Sequence, residues 1–188
     1  MSHPQELLDY WADTEEWSRS HDPEDWPVSQ ETASLFQRHL DRLSPLADDG
    51  NDFARYAMAS IYHLELLYPN EATREERSSE DRATMTRLLC RCAENGMGAA
   101  FDNLVTSGTG EIGDSARAAA KNYERDRNPE WDEPSELPVY SPNWMEGAMS
   151  LWRNQRGEQA GTGQPATRPE SDLEGGDKSQ PESEGRSQ

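Results

Sequence analysis

LADDGNDFARYAMA (46–59), laid on CAENGMGAAFDNLV (92–105), superimposes at an offset of 46 residues. Ala47, Gly50 and Ala54 fall on Ala93, Gly96 and Ala100, while Asp48 falls on Glu94, Met58 on Leu104 and Ala59 on Val105. A glycine just past a helix end accepts a positive φ, and small alanines on either side let that helix and the next approach closely. Each copy therefore reads as the corner of a helical hairpin. Fixed periods in this range mark helical-repeat arrays, in which each hairpin buries its apolar face on its neighbours. The reading is an all-α chain: a short α-solenoid of antiparallel helix pairs with capping helices at both ends.

Outward from these corners the apolar residues keep helical spacing. Ser2, Pro4 and Gln5 predict a capped helix start, with Leu7, Leu8 and Trp11 on one face up to about Ser18. HDPEDWPVS (21–29) breaks it, and Ser29 is a cap for a second helix carrying Phe36, Leu40, Leu43 and Leu46, with a kink or early stop at Pro45. A third helix over 52–67 places Phe53, Ala57, Ser60, Ile61 and Leu64 on one stripe. PNEATREERSS (69–79) reads as a polar loop, and Ser78 with Asp81 as the capping box of a fourth helix running to about Glu94. Shorter helices are expected at 97–106 and at 114–126, the latter opened by Asp114. A last one from Pro142 to Arg153 carries Met145, Met149 and Trp152 on one side. Between Gln155 and Gln188 the only apolar residues are Ala160, Ala166 and Leu173, too few to offset the entropy of ordering, so a disordered tail is expected there. The chain divides into an acidic helical segment (1–37), a repeat core (38–127), a linker with a capping helix (128–154) and the tail (155–188). Tyr140, Trp144 and Trp152 are expected to cover the open apolar face of the last unit.

ARYAMASIYHLE (54–65) resembles the first helix of the Sel-one-like repeat, a relative of the tetratricopeptide repeat, with Ala54, Met58 and Tyr62 in place and Ala59 standing for the family's glycine. LLCRCAENG (88–96) resembles the end of its second helix. There Arg91, Ala93, Glu94 and Gly96 match, Leu88 and Leu89 replace an aromatic pair, and Cys92 replaces an alanine. A further copy starts at AFDNLVTSGTG (100–110) and runs into DSARAAAKNY (114–123), so the resemblance spans about 38–125. It implies a helical-repeat protein that works by binding another protein.

Composition agrees with helix and excludes much else. Only 23 of the 188 residues are Leu, Ile, Val or Phe, against 18 Ala, six Met and six Trp, and three Val with two Ile cannot furnish a β-sheet. Thirty-seven acidic against 18 basic side chains give a net charge of −19, which opposes nucleic acid and anionic membranes and favours basic partners, divalent cations or high salt; the partner expected is a protein with a basic surface. Sixteen of the basic residues are Arg, a bias that fits a high-GC genome or a salt-adapted host as well. No stretch is long and apolar enough for a membrane span, and the start lacks a secretory pattern, so the expected compartment is the cytoplasm. Cys90 and Cys92, about 200° apart around a helix, read as small apolar filler in a reduced compartment.

No catalytic constellation, metal set or cofactor loop emerges. The four histidines are scattered, with His39 and His63 read as helix-surface or helix-packing residues. DDGND (48–52) puts Tyr56 where a calcium loop requires its last glutamate. GTGEIG (108–113) follows no strand and reads as an interhelical turn. The N-terminal 35 residues carry nine acidic side chains against one Arg, interleaved with Trp11, Trp17 and Trp26. Such a mixture suits an interface, charge steering a partner and aromatics anchoring it. Trp11 falls on the apolar stripe and is placed in the core. Trp17 and Trp26, with Glu15, Glu16, Glu24 and Asp25, are the candidate docking residues, the other reading being that these tryptophans fill the core of a leucine-poor domain. The function expected is a non-catalytic adaptor, scaffold or regulator, the alternative an acidic inhibitor or immunity protein that neutralises a basic toxin or nuclease.

Overall fold

A computed structural model of the chain describes residues 3–21, 26–127 and 142–161, with side chains of 145–157 in the last helix. Among the described residues there are seven helices and no strand: α1 (Gln5–Ser20), α2 (Gln30–Asp48), α3 (Asp52–His63), α4 (Glu71–Glu94), α5 (Gly98–Ser107), α6 (Gly110–Arg127) and α7 (Pro142–Gly161). The all-helical reading holds. Three starts are fixed by side chains that accept from the third residue onward: Ser29 Oγ from Thr32 N–H at 3.0 Å, Asn51 Oδ1 from Ala54 N–H at 3.1 Å, and Asn70 Oδ1 from Thr73 N–H at 2.9 Å. Each satisfies one of the orphan donors of a first helical turn.

Asn70 corrects the expected start of α4. Residues 71–79 are its first turns, not a loop, and Ser78 and Asp81 lie inside the helix instead of capping it. The run EATREERSSE holds no breaker, and its Glu, Ala and Arg residues are strong helix formers. Pro45 does not stop α2, which continues for three more residues. The third helix ends at His63, earlier than expected, and the turn over 64–67 holds Glu65 at φ 53. α6 opens at Gly110, ahead of Asp114, so most of GTGEIG is its first turn. α7 runs past Arg153 to Gly161, which takes 155–161 out of the expected tail. Residues 128–141 and 162–188, the expected linker and tail, lie outside the described residues, as do Tyr140 and the Trp144 side chain.

The two corners that share the 46-residue offset have the same backbone. Gly50 and Gly96 take φ 96 and 98. The residues before them, Asp49 and Asn95, sit at φ −72, ψ 2 and φ −83, ψ 1; those after, Asn51 and Met97, at φ −75, ψ 107 and φ −78, ψ 102. Gly50 N–H donates to Ala47 O and Asn51 N–H to Leu46 O; Gly96 N–H donates to Ala93 O and Met97 N–H to Cys92 O. This pair of bonds closes a helix on a left-handed residue and satisfies its last carbonyls. Asp52 ties one corner to the other. Its carboxylate accepts from Asn95 Nδ2 at 2.8 Å and pairs with Arg55 at 2.8 Å, and its carbonyl accepts from Cys92 Sγ at 3.4 Å.

From α1 to α6 each helix packs on the next, and α7 packs on α6; in addition α1 touches α3, α4 touches α6 and α5 touches α7. Asn103 of α5 donates to the Tyr56 hydroxyl of α3 at 3.1 Å. Thus α1 touches α3 and α5 touches α7, while a single side-chain hydrogen bond joins α3 to α5. Two apolar cores result. The first gathers Leu7, Tyr10, Trp17, Phe36, Leu40, Leu43, Ala54, Ala57, Ile61 and the 66–68 turn. The second gathers Met85, Leu89, Cys92, Phe101, Leu104, Val105, the α6 alanines, Met149 and Trp152. Helix α3 belongs to both, because Ala59 faces the second core and Tyr62 packs against each. A fully buried side chain the size of Phe36 or Phe101 contributes about 1.5–3 kcal/mol by the apolar area it removes from water.

Candidate functional site

Helix α1 buries Leu7, Tyr10 and Trp17, a seam at spacings of three and seven. Trp17 is only 7% exposed; its ring stacks on His21 and meets Phe36 edge-on, so it is a core residue and not a docking anchor. Trp11, expected in the core, lies one position round the helix from that seam and is 37% exposed. The two tryptophans have exchanged the roles the sequence suggested. The apolar residues of α1 cover too wide an arc for spacing alone to choose the buried side.

Trp11 is not alone at the surface. Among the described residues the exposed large hydrophobics are Leu8, Trp11 and Phe53, at 44%, 37% and 49%. They come together. The Trp11 and Phe53 rings meet edge-on at 6.5 Å, and the His3 ring stands edge-on to both, at 5.0 and 5.1 Å. Leu8 lies one turn from Trp11 along α1. Phe53, expected on the buried stripe of α3, faces outward because Ala54, Ala57 and Ile61 make that helix's contact with the first core. The face therefore joins α1 to α3 and carries three aromatic rings with a leucine beside them.

Exposed acidic residues lie near it along the chain. Glu15, four residues on from Trp11 along α1, is exposed and paired with Arg19; Glu16 is exposed as well. Asp48 and Asp49 are exposed at the turn that leads into Phe53. On the opposite flank α1 is tied to α2: Arg42 donates to Asp9 at 2.6 Å, and His39 Nε2 meets Asp13 Oδ2 at 2.7 Å. Hydrogen bonds from Gln5 and Arg42 hold the Asp9 carboxyl below the usual carboxylate range. His39 itself is buried among Tyr10 and Phe36, a packing histidine, whereas His63 is exposed. Trp26 is half-buried against the first core with the Arg74 guanidinium 5.0 Å above its ring. Glu24 and Asp25 lie outside the described residues.

The repeat residues are structural. Ala47, Ala54, Ala93, Ala100 and Leu104 are buried, and Met58 and Tyr62 are half-buried at the edges of the cores. Glu94 departs from this: it is half-exposed, accepts from Arg156 at 2.9 Å and from Cys90 Sγ at 3.5 Å. Cys90 and Cys92 are free and buried and face different helices, and burial pushes their thiols up to about 11 and about 12, which leaves almost no thiolate at neutral pH. Asp81 is a buried carboxyl whose pKa is raised by burial; it accepts from the Tyr68 hydroxyl at 3.1 Å, with Arg77 3.7 Å away. Among the described residues no three His, Cys, Asp or Glu side chains stand close enough to hold a metal, and no helix is long and apolar enough to cross a membrane. Comparison with known proteins finds no family model, no curated protein and no solved structure that matches the chain.

Proposed function

We propose that the chain is a small protein-binding module, an adaptor or regulator built from helical hairpins of the Sel-one-like type, whose docking face is the α1–α3 surface. One observation carries the reading: Leu8, Trp11 and Phe53 are exposed, the Trp11 and Phe53 rings meet at 6.5 Å, and along the chain they are bordered by the exposed acidic residues Glu15, Asp48 and Asp49. Exposed aromatics with an apolar neighbour are the composition of interface anchors. The border, in a chain of net charge −19, favours a partner with a basic surface and speeds its approach. The helix-hairpin reading is supported by the matching corners at Gly50 and Gly96.

The test is affinity capture from the native host at low salt, comparing wild type with a Leu8→Ser, Phe53→Ser double variant. A basic protein retained by the wild type and lost by the variant is the expected result. If the same proteins come down with both, the docking face is elsewhere. For the captured partner, Glu15→Lys and Asp49→Lys should mainly slow association, and Trp11→Ala should mainly hasten dissociation.

A further inference from the structure

Positive charge is scarce in this chain, yet three guanidinium groups converge on one groove. It is a cleft of about 360 Å³ walled by α4, α6 and α7, with Arg87, Arg91 and Arg156 around a floor of Leu88, Cys90 and Ile112. One carboxylate, Glu94, faces them. It accepts from Arg156 at 2.9 Å but lies 3.8 Å from Arg91, beyond hydrogen-bond reach. Arg87 donates to the Thr84 hydroxyl at 2.8 Å and has no carboxylate partner among the described residues. Arg156 is held in place by its pairing and by stacking 5.1 Å over the Trp152 ring, and its buried Nε donor has no acceptor. The groove thus combines unspent donors from three guanidinium groups with an apolar floor, at a volume in the range of small-ligand clefts.

We propose that this groove binds an amphiphilic organic carboxylate: a carboxylate on the Arg87 and Arg91 guanidinium groups, with an aliphatic body along Leu88 and Ile112. A planar two-oxygen anion matches the fork of a guanidinium, and a charge-assisted pair of this kind is about twice as strong as a neutral hydrogen bond. The negative field of the rest of the chain works against any anion. Selection therefore requires the apolar contact as well as the charge, which is what the floor supplies. The groove is separate from the α1–α3 face, and its occupancy does not depend on the function proposed for that face.

The chain carries its own reporters. Isoleucine occurs twice, as Ile112 in the groove and as the fully buried Ile61 of the first core. Methyl-labelled isoleucine in the full chain thus yields one groove signal and one core control. Titrated octanoate should shift the Ile112 methyl in a saturable way and leave Ile61 in place. Octylamine, with the same chain and the opposite charge, should leave both in place, and acetate should need at least tenfold more for the same shift. An Arg87→Gln, Arg91→Gln variant should raise the octanoate half-saturation at least tenfold with Ile61 unmoved, which shows the fold intact. Arg87→Lys, which keeps charge but loses the fork, should fall between. An unmoved Ile112 at high octanoate overturns the proposal. So does an equal response to octylamine, which would make the groove a plain apolar cleft, or an equal response to acetate, which would reduce the effect to surface ion pairing.

Discussion

Trp11 and Trp17 lie six residues apart on one helix and separate packing from recognition. Trp17→Ala opens a cavity beside Phe36 and should cost about 3–5 kcal/mol in chemical denaturation, whereas Trp11→Ala should cost well under half as much. Equal losses would mean that Trp11 supports the core and would weaken its role as an anchor. Asp81 supplies a prediction in pH. Burial raises its folded-state pKa above the ordinary 3.8, so the folded state holds the proton where the unfolded chain releases it. The stabilisation this brings is complete below 3.8 and is lost as pH rises through the raised value. An Asp81→Asn variant, which cannot ionise, should therefore gain in denaturation midpoint relative to wild type between about pH 4 and about pH 7. A constant difference across that window would show that Asp81 does not titrate there. At this scale the sequence was least informative. Adjacent positions on a helix differ by 100°, so a shift of one residue moves a tryptophan from seam to surface.

At the scale of elements the corners were legible and the starts less so. Gly50 and Gly96 were recognisable because a repeated glycine between small residues has few structural uses, and both adopt the left-handed backbone. Their cost on substitution is a backbone cost. A Cβ on Gly50 would meet nothing within 4 Å, and on Gly96 only the Arg153 side chain at 3.6 Å. Gly50→Ala and Gly96→Ala should each destabilise by about 1–2 kcal/mol, and by similar amounts. Loss at one corner alone, measured by urea titration, would break the equivalence of the two hairpins. The start of α4 was missed for a physical reason. Its first turns are so polar that they show no apolar stripe, and their helicity rests on Asn70 and on propensity, which Ser78 with Asp81 imitated further along. The extension of α7 past Arg153 was equally hidden, since the contacts that hold it, Arg156 with Glu94 and with Trp152, join residues far apart in sequence.

For the molecule as a whole, α7 closes the second core with Ala148, Met149 and Trp152, and Arg156 stacks on Trp152 from beyond it. A chain ended at Asn154 loses Arg156 and with it the pairing to Glu94. It should unfold at lower urea than one ended at Gly161, by about 1 kcal/mol, the worth of one charge-assisted contact with partial exposure. Equal midpoints would mean that α7 needs no support beyond Trp152. Helix α3 has the wider consequence, because it lends one side to each core. Under tension applied at the ends of the described chain, a molecule made of two independent halves would yield in two steps, each releasing its own length. Here neither half keeps its wall once α3 is drawn out. A pulling experiment should record a single extension event spanning α1 to α7; two well-separated events would show that the halves bear load separately despite the helix they hold in common.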